Sequence, residues 1–364
     1  MKFSRILPIS FLVLAACAAD AQKNYTVTMD ANPADNNTMA YLINWDTQAK
    51  LDSAVVTDNK INFAGTVADD FIGRVIVNGK RGPMFIVEQG DIVIDPNGDA
   101  TGTPLNEKWN AYATEISKIQ DEFNKLNPAD SVDVAKAKEL EEAYNAVPAK
   151  AFKENADNAL GLYWFMQMAY DLTLPQLQEE IAKNPALAKS GQVEGLLNAK
   201  KAKEATSVGN HYKDFTITYD GKEYKLSDYV KPGKYTLVDF WASWCGPCIR
   251  QTKVIKELYE KYKDKGLDVV GVAVWDEPEN TLKAIKTHDL QWPCIINAQT
   301  IPTDLYGISG IPCIILINPD GVIISRDKQG QELKDDVDSA MAAYEQPASA
   351  EAPASNQADT AAIF

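Results

Sequence analysis

The sequence predicts an α/β protein built from an N-terminal all-β domain over 24–104, a helical middle region over 105–207 and a mixed α/β domain over 208–344. Three patterns predict it. Short runs rich in β-branched and aromatic residues fill the first part, separated by Gly and Asn turn signals. In the second part, apolar residues recur every three or four positions. The third part alternates strand-like runs with helical patterns, which is typical of a helix-flanked sheet.

The N-terminal part has the alternating turn signals and strand-like runs of a strand-rich domain. Turn signals lie at Asn78 and Gly79, and strand-like runs occur at 25–29, 75–77, 84–87 and 92–94. The spacing of its acidic residues matches no calcium loop, so we interpret them as solvated turn residues. Nothing in this part predicts catalysis.

The helical middle region begins with one clear amphipathic pattern. Apolar residues share one face of a long helix, at Leu105, Trp109, Tyr112, Ile116, Ile119, Phe123 and Leu126. Asn127 and Pro128 end this helix, and another helix is predicted behind Thr173. We interpret the region as either a spacer or a surface for a partner protein, and the sequence leaves both alternatives open.

A Cys-x-x-Cys pattern lies where the third part turns from a strand into a helix. The run 236–242 is rich in β-branched and aromatic residues, and a helical pattern follows Cys248. A helix N-terminus offers unpaired N–H groups and a partial positive charge, which favour a thiolate at Cys245. Cys248, one turn further in, is then shielded but close enough to resolve a mixed disulfide. Pro247 fits because the first helical turn does not use its missing N–H.

These residues resemble the thioredoxin superfamily, and most closely its TlpA/ResA-like thiol:disulfide interchange proteins. Asp239 stands six residues before Cys245, and Ile311 and Pro312 precede a second strand-like run at 314–317. The resemblance covers roughly 208–344 and implies a thioredoxin-like fold for that part. The N-terminal part resembles a small β-sandwich-like domain of unknown function that often precedes such modules.

The resemblance also implies roles for individual residues. Cys245 and Cys248 would form the redox pair, and Asp239 would relay a proton for Cys248. Pro312 would follow a cis peptide bond and face the disulfide, with the residue before it pairing with an extended substrate segment. The predicted substrate-binding residues are Trp244, Gly246, Pro247 and Ile311.

Each assignment has a plainer alternative. The cysteine pair could be half of a structural zinc site, but the remaining candidate ligands are scattered singly, at His211, His288, Cys294 and Cys313. We therefore predict no metal. Asp239 could be an ordinary strand acid, although a carboxyl within an apolar strand is costly to bury without a reason. With a trans bond, Pro312 would be only a strand-start proline.

The sequence departs from the family pattern at several positions. Where the family commonly has Arg, Glu and Pro after the second cysteine, this chain has Ile249, Gln251 and Lys253. Neutral Gln251 cannot tune the inner thiol as a Glu would. Cys313 follows the proline where the family often has Thr. We expect it near the active disulfide, in a non-productive or regulatory pairing, with pairing to Cys294 as the alternative.

The first residues predict export. Lys2 and Arg5 precede an uncharged apolar segment at 6–19, too short for a bilayer of ~30 Å but typical of a signal peptide. Two kinds of processing remain open: a lipobox ending at Cys17, which would be lipidated, or ordinary cleavage before Gln22. We predict a leader over 1–21 and a location in the periplasm or cell envelope, with a lipid anchor as the sole membrane attachment. A disordered tail is predicted over 345–364.

Charge and resemblance together predict the function. The formal net charge of −15 argues against nucleic acid and anionic membrane surfaces as partners. We predict a thiol-disulfide oxidoreductase that needs no cofactor and acts on proteins of the cell envelope. We expect it to reduce its substrates rather than oxidise them, and to receive electrons from a thiol donor in the membrane. An envelope adaptor with a secondary thioredoxin module is the alternative. A peroxiredoxin-like peroxidase would need Thr where Ala242 stands.

Overall fold

The computed structural model describes residues 23–345. The predicted leader, with Cys17, and residues 346–364 of the predicted tail lie outside this range. The chain divides into two compact units between Glu194 and Gly195. Within residues 23–345, no helix combines the length and the apolar character needed to cross a membrane.

The predicted strand-rich N-terminal region is confirmed. Its strands are β1 (Lys23–Asp30), β2 (Met39–Asn44), β3 (Lys50–Val55), β4 (Lys60–Val67), β5 (Phe71–Val77), β6 (Lys80–Val87), β7 (Gly90–Ile94) and β8 (Ala100–Thr101). They form two four-stranded sheets, ordered β4-β1-β7-β8 and β3-β2-β5-β6. Val27, Leu42, Phe63 and Phe85 belong to one core that both sheets share. Buried and exposed residues alternate along β4, because only one face of a strand meets the core.

The predicted helical middle region is also confirmed. It contains α1 (Pro104–Phe123), α2 (Ser131–Glu154), α3 (Ala159–Ala169), α4 (Leu174–Lys183) and α5 (Gly191–Ala205). The side chain of Asn158 caps α3, and Thr173 and Gln176 form a capping box at the start of α4. Trp164 and Phe165 of α3 are buried, which explains why this segment is apolar on most sides.

The second unit is a mixed sheet flanked by helices, as predicted. A hairpin of β9 (Thr216–Tyr219) and β10 (Lys222–Lys225) precedes the main sheet. That sheet comprises β11 (Tyr235–Trp241), β12 (Leu267–Ala273), β13 (Cys294–Ile295), β14 (Cys313–Ile317) and β15 (Ile323–Arg326). Their spatial order is β13-β12-β11-β14-β15, with β11, β12 and β13 parallel and β14 and β15 antiparallel. The helices are α6 (Gly246–Tyr262), α7 (Pro278–Thr287), α8 (Ile301–Tyr306) and α9 (Gly330–Glu345).

The strand β11 is buried on both faces and leads directly into the cysteine pair. Val238 and Phe240 pack into a core with the β9–β10 hairpin and α8. Leu237 faces the other way, into a core with Ile255 of α6 and Val337 of α9. A central strand that is covered on both sides is normally apolar along its whole length. Asp239 is therefore an unusual residue at its buried position in β11.

Candidate active site

The two cysteines of the Cys-x-x-Cys pattern are joined by a disulfide of 2.05 Å. Cys245 is the N-cap residue of α6, and Pro247 lies in the first turn. The backbone N–H of Cys248 donates to Cys245 Sγ at 3.2 Å. Both cysteines are buried, whereas Trp244 beside them is 62% exposed. A helix N-terminus therefore directs an N–H group at the outer sulfur, an arrangement that stabilises negative charge there.

The loop before β14 lies against this disulfide. The peptide bond between Ile311 and Pro312 is cis. The carbonyl oxygen of Ile311 lies 3.7 Å from Cys245 Sγ. Ile311 is partly buried and packs against the cluster that contains both cysteines. The structure thus brings together the two sequence segments, far apart in the chain, that were expected to meet.

Asp239 is a buried carboxyl in the middle of β11. It is 2% exposed, and its Oδ1 atom has no hydrogen-bond partner among residues 23–345. Burial raises the pKa of Asp239 from 3.8 to about 7. A carboxyl with this pKa exchanges a proton near neutral pH, which is what a general acid or base requires.

Behind the disulfide lies the thiol of Cys294, which the sequence suggested only as a zinc ligand or as a partner of Cys313. Cys294 packs against the cluster of Cys245, Cys248 and Trp241. Cys294 lies on β13, and the strand between β13 and β11 is β12. The Cys294 side chain reaches this position because Gly271 of β12 has no side chain. A Cβ atom at Gly271 would come within 2.7 Å of Cys294 Sγ and 3.0 Å of Trp241 Nε1. Burial, followed by the charge of Asp239, raises the pKa of Cys294 to about 12.

Comparison with known proteins agrees with this geometry. Residues 208–326 match the AhpC/TSA family, and residues 25–109 match a domain of unknown function, DUF4369. The thiol-disulfide oxidoreductase ResA of Bacillus cereus is 32% identical over 126 residues, which are 34% of this chain and 71% of that protein. The chain belongs to the ResA family of thiol-disulfide oxidoreductases. The predicted family and enzyme class are therefore confirmed.

Further similar proteins carry the same description. ResA of Bacillus subtilis (strain 168) is 28% identical over 123 residues, covering 34% of this chain and 68% of that protein. Among solved structures, the thioredoxin domain of a thiol-disulfide oxidoreductase from Bacteroides vulgatus is 31% identical, with a TM-score of 0.34. It covers 36% of this chain and 96% of that chain.

The expectation that Cys313, which follows Pro312, lies in this ResA-family site and pairs there is wrong. Its side chain packs in the core that contains Phe240, and its thiol donates to Asp327 Oδ1 at 3.1 Å. Burial and the charge of Asp327 raise the pKa of Cys313. Cys313 and Cys294 are both free thiols, so the alternative pairing between them is not formed either.

Asp276 holds the loop that leads into Cys245, and the sequence interpretation missed it. Its carboxylate accepts from Ser243 N–H at 2.8 Å, from Ser243 Oγ at 2.9 Å and from Thr281 Oγ1 at 2.8 Å. In addition, Trp244 Nε1 donates to the carbonyl of Trp275 at 2.9 Å. The only signal in the sequence is an acid just after a buried strand, which is too common to identify a positioning residue.

Gln251, where the family pattern has Glu, serves the end of another helix. Its Oε1 atom accepts from Gly330 N–H at 2.9 Å, at the first residue of α9. The side chain is therefore an N-terminal cap that ties α9 to α6. This contact gives the neutral residue a structural role of its own.

No metal-binding cluster is found in the part of the chain that the structure describes: no three His, Cys, Asp or Glu side chains are grouped so as to hold an ion. His211 and His288, the histidines of the sequence, stand apart, with His211 paired through its backbone to Val322 and His288 at the end of α7.

Proposed function

We propose that this protein exchanges the Cys245–Cys248 pair with disulfides of other proteins in the cell envelope, working as a reductant. The observation that carries the proposal is the bonded sulfur pair at the start of α6, with the Ile311 carbonyl 3.7 Å from the outer sulfur. One sulfur is thus held by a helix N-terminus, and a backbone acceptor stands beside it for a bound segment.

The reaction begins from the dithiol form. The Cys245 thiolate attacks one sulfur of a substrate disulfide, forming a mixed disulfide and releasing the other substrate sulfur as a thiolate. Cys248 then loses its proton and attacks Cys245 Sγ. The second substrate thiolate leaves, and the Cys245–Cys248 bond closes. Two electrons have moved from the enzyme to the substrate, and the released thiolates take up protons.

Asp239 is proposed to receive the proton of Cys248 during resolution. Its pKa of about 7 allows it to accept a proton near neutral pH and return it to solvent. The absence of a partner on Oδ1 among residues 23–345 leaves that atom available for this task.

The substrate is proposed to lie across Trp244, Gly246, Pro247 and Ile311. Trp244 offers a large exposed ring whose nitrogen is held by the Trp275 carbonyl. Gly246 and Pro247 are exposed at the start of α6. An extended segment beside Ile311 would add backbone hydrogen bonds, which tolerate many substrate sequences.

We also propose an envelope location, on the basis of the signal-like segment at 6–19 and the lipobox-like sequence ending at Cys17. Processing before Gln22 is the competing route. Electrons would reach the disulfide from a thiol donor in the membrane, since a reductant must be re-reduced after each turnover.

Insulin reduction tests the activity. We expect the wild type to accelerate it and Cys245→Ser to abolish the acceleration. Cys313→Ser, which alters a buried thiol outside the site, is the matched control and should retain activity. A wild type as slow as Cys245→Ser would contradict the proposal. Intact biological activity in Cys245→Ser would instead favour the adaptor alternative.

The direction of electron flow needs a second measurement. Thiol pairs of this kind span roughly −270 to −120 mV. A titration against glutathione or dithiothreitol should give a potential near the reducing end. A value near the oxidising end would contradict a role as reductant while leaving the exchange chemistry intact.

A further inference from the structure

A cavity of about 330 Å³ lies on the face of the sheet β3-β2-β5-β6 that points away from the strand core. Val75 of β5 faces the core, so its neighbours Arg74 and Ile76 face the opposite side. Ile43, Ile76 and Trp45 supply apolar surface to the cavity, and Arg74, Arg81 and Gln192 supply polar groups. We call this cavity the arginine pocket.

The two guanidinium groups of the arginine pocket have no acidic partner. Neither Arg74 nor Arg81 forms an ion pair with any carboxylate among residues 23–345. The Nε atom of Arg74 is buried and donates to no acceptor in this part of the chain. A buried donor without an acceptor costs free energy, because it has lost water and gained nothing in exchange. The chain carries 51 acidic residues against 36 basic ones, so a shortage of carboxylates does not explain the omission.

The surroundings of Arg74 destabilise its positive charge, which a bound anion would compensate. Burial, followed by the like charge of Arg81, lowers the pKa of Arg74. Asp46, next to Trp45 in the chain, forms no ion pair with either arginine; its Oδ1 atom accepts from Ser190 Oγ at 2.6 Å and from the backbone N–H of Gln192 at 3.0 Å. Two positive groups therefore share one cavity without neutralisation.

The backbone of Trp45 is held from two sides. Its backbone carbonyl accepts from the side-chain amide of Gln192 at 3.1 Å and from that of Gln48. Trp45 lines the cavity beside the arginines. A tryptophan beside two guanidinium groups suits a ligand with two parts. An apolar group can pack against the tryptophan, and a planar or tetrahedral oxyanion can accept hydrogen bonds from the arginines.

We propose that the arginine pocket of the N-terminal unit binds a small oxyanion, a carboxylate or a phosphate, carried on a compact apolar group. The oxyanion accepts hydrogen bonds from Arg74 and Arg81, and the apolar group lies against Trp45. The site would give the domain of unknown function a ligand of its own, independent of the cysteine pair.

Calorimetric titration of the full chain with benzoate and with phenyl phosphate tests the proposal. The two probes share a ring and differ in the anion, so the tighter binder identifies the class of oxyanion. We expect saturable binding of at least one probe, at about one per chain. Arg74→Gln and Arg81→Gln should each weaken it about tenfold or more, since each removes a charge-assisted hydrogen bond. Lys80→Gln removes a nearby exposed cation outside the cavity lining and should change the affinity less than about twofold.

Two results of the calorimetry would overturn the proposal. One is the failure of both anions to bind saturably to the wild type. The other is equal binding of phenol, which would mean that the apolar wall alone accounts for the affinity. Phenylglyoxal labelling of the wild type, followed by mass spectrometry, avoids any folding defect of the variants. The bound anion should protect Arg81 but not Arg250, an exposed arginine outside the cavity lining. Unprotected Arg81 at a saturating probe concentration would also refute it.

Discussion

Asp239 and Cys294 are both in register with Gly271, one from each neighbouring strand. Residues paired in parallel strands point to the same face of a sheet, so the carboxyl and the thiol share a face with no side chain between them. The charge of Asp239 contributes to the raised pKa of Cys294. The buried acid of this ResA-family protein therefore has a thiol neighbour behind the redox disulfide.

The pH dependence of resolution should report on Asp239. Its pKa of about 7 means that it is mostly protonated below pH 7 and ionised above it. We expect resolution of a mixed disulfide to accelerate as pH rises through 7. In Asp239→Asn this inflection should disappear, and the rate at pH 8 should fall about a hundredfold. Stopped-flow release of a peptide thiol between pH 5 and 9 measures it.

Asp268→Asn is the control for this substitution, because Asp268 lies on the adjacent strand and forms a partly exposed ion pair with Lys234. It should retain the wild-type profile. An inflection near pH 7 that survives in Asp239→Asn would assign the proton acceptor elsewhere.

The same pKa shift makes the stability of the fold depend on pH. The folded state binds the Asp239 proton more tightly than the unfolded state, whose carboxyl has a pKa near 3.8. The free energy of unfolding should therefore fall as pH rises from about 4 to 7. Asp239→Asn removes this loss, so at pH 8 it should be more stable than the wild type, by up to about 4 kcal/mol. Urea unfolding at pH 4 and pH 8 measures the difference, and an equal effect at both values would contradict the burial of an ionised group.

Gly271→Ala should destabilise the second unit. The added methyl group would collide with Cys294 Sγ and approach Trp241 Nε1, and overpacking of this kind costs about 1–3 kcal/mol. Adding Cys294→Ala should recover part of the loss, because it removes the closer of the two atoms. Urea unfolding of the single and double variants measures both effects.

Gly195→Ala provides the matched control, since a Cβ atom at this helical position meets no atom within 4 Å. It should be neutral or stabilising, because Ala favours a helix over Gly by about 1 kcal/mol. Equal losses in Gly271→Ala and in the double variant would mean that Cys294 does not fill the space beside Gly271.

Alkylation should distinguish the reduced active-site thiol from the two free thiols. Burial and nearby acids raise the pKa of Cys294 to about 12 and also raise that of Cys313, so both stay protonated at pH 7. Only the thiolate reacts, and the α6 N-terminus favours it at Cys245. Iodoacetamide should modify Cys245 at least about a hundredfold faster than the other two, as mass spectrometry would show. Unfolding in denaturant should equalise the rates, and comparable rates in the folded protein would contradict this account.

The sequence was sufficient to predict the local arrangement of the cysteine pair. A buried strand, a Cys-x-x-Cys and a helical pattern are each encoded by neighbouring residues, since propensity, periodicity and capping act over a few positions. The placement of Cys245 at an N-cap and the burial of Asp239 follow from this local information. The three-part division into strand-rich, helical and mixed segments followed from periodicity in the same way.

The sequence was a poor guide to which free cysteine lies behind the disulfide. Cys313 is adjacent to Pro312, but alternation along β14 directs its side chain into the core that contains Phe240. Cys294 is remote in the chain and reaches the site through strand pairing. No local pattern specifies such a pairing, because register depends on all the strands of the sheet together.

The sequence by itself determined the redox pair, the helix that begins at it and the apolar strand that carries Asp239, because each depends on residues close in the chain. Only the tertiary structure decided that Asp276 holds the loop before Cys245 and that Arg74 and Arg81 share a cavity. These groups come from separate strands and loops. Their juxtaposition depends on how the sheets pair and pack, and hydrophobic periodicity does not encode which polar side chains will meet.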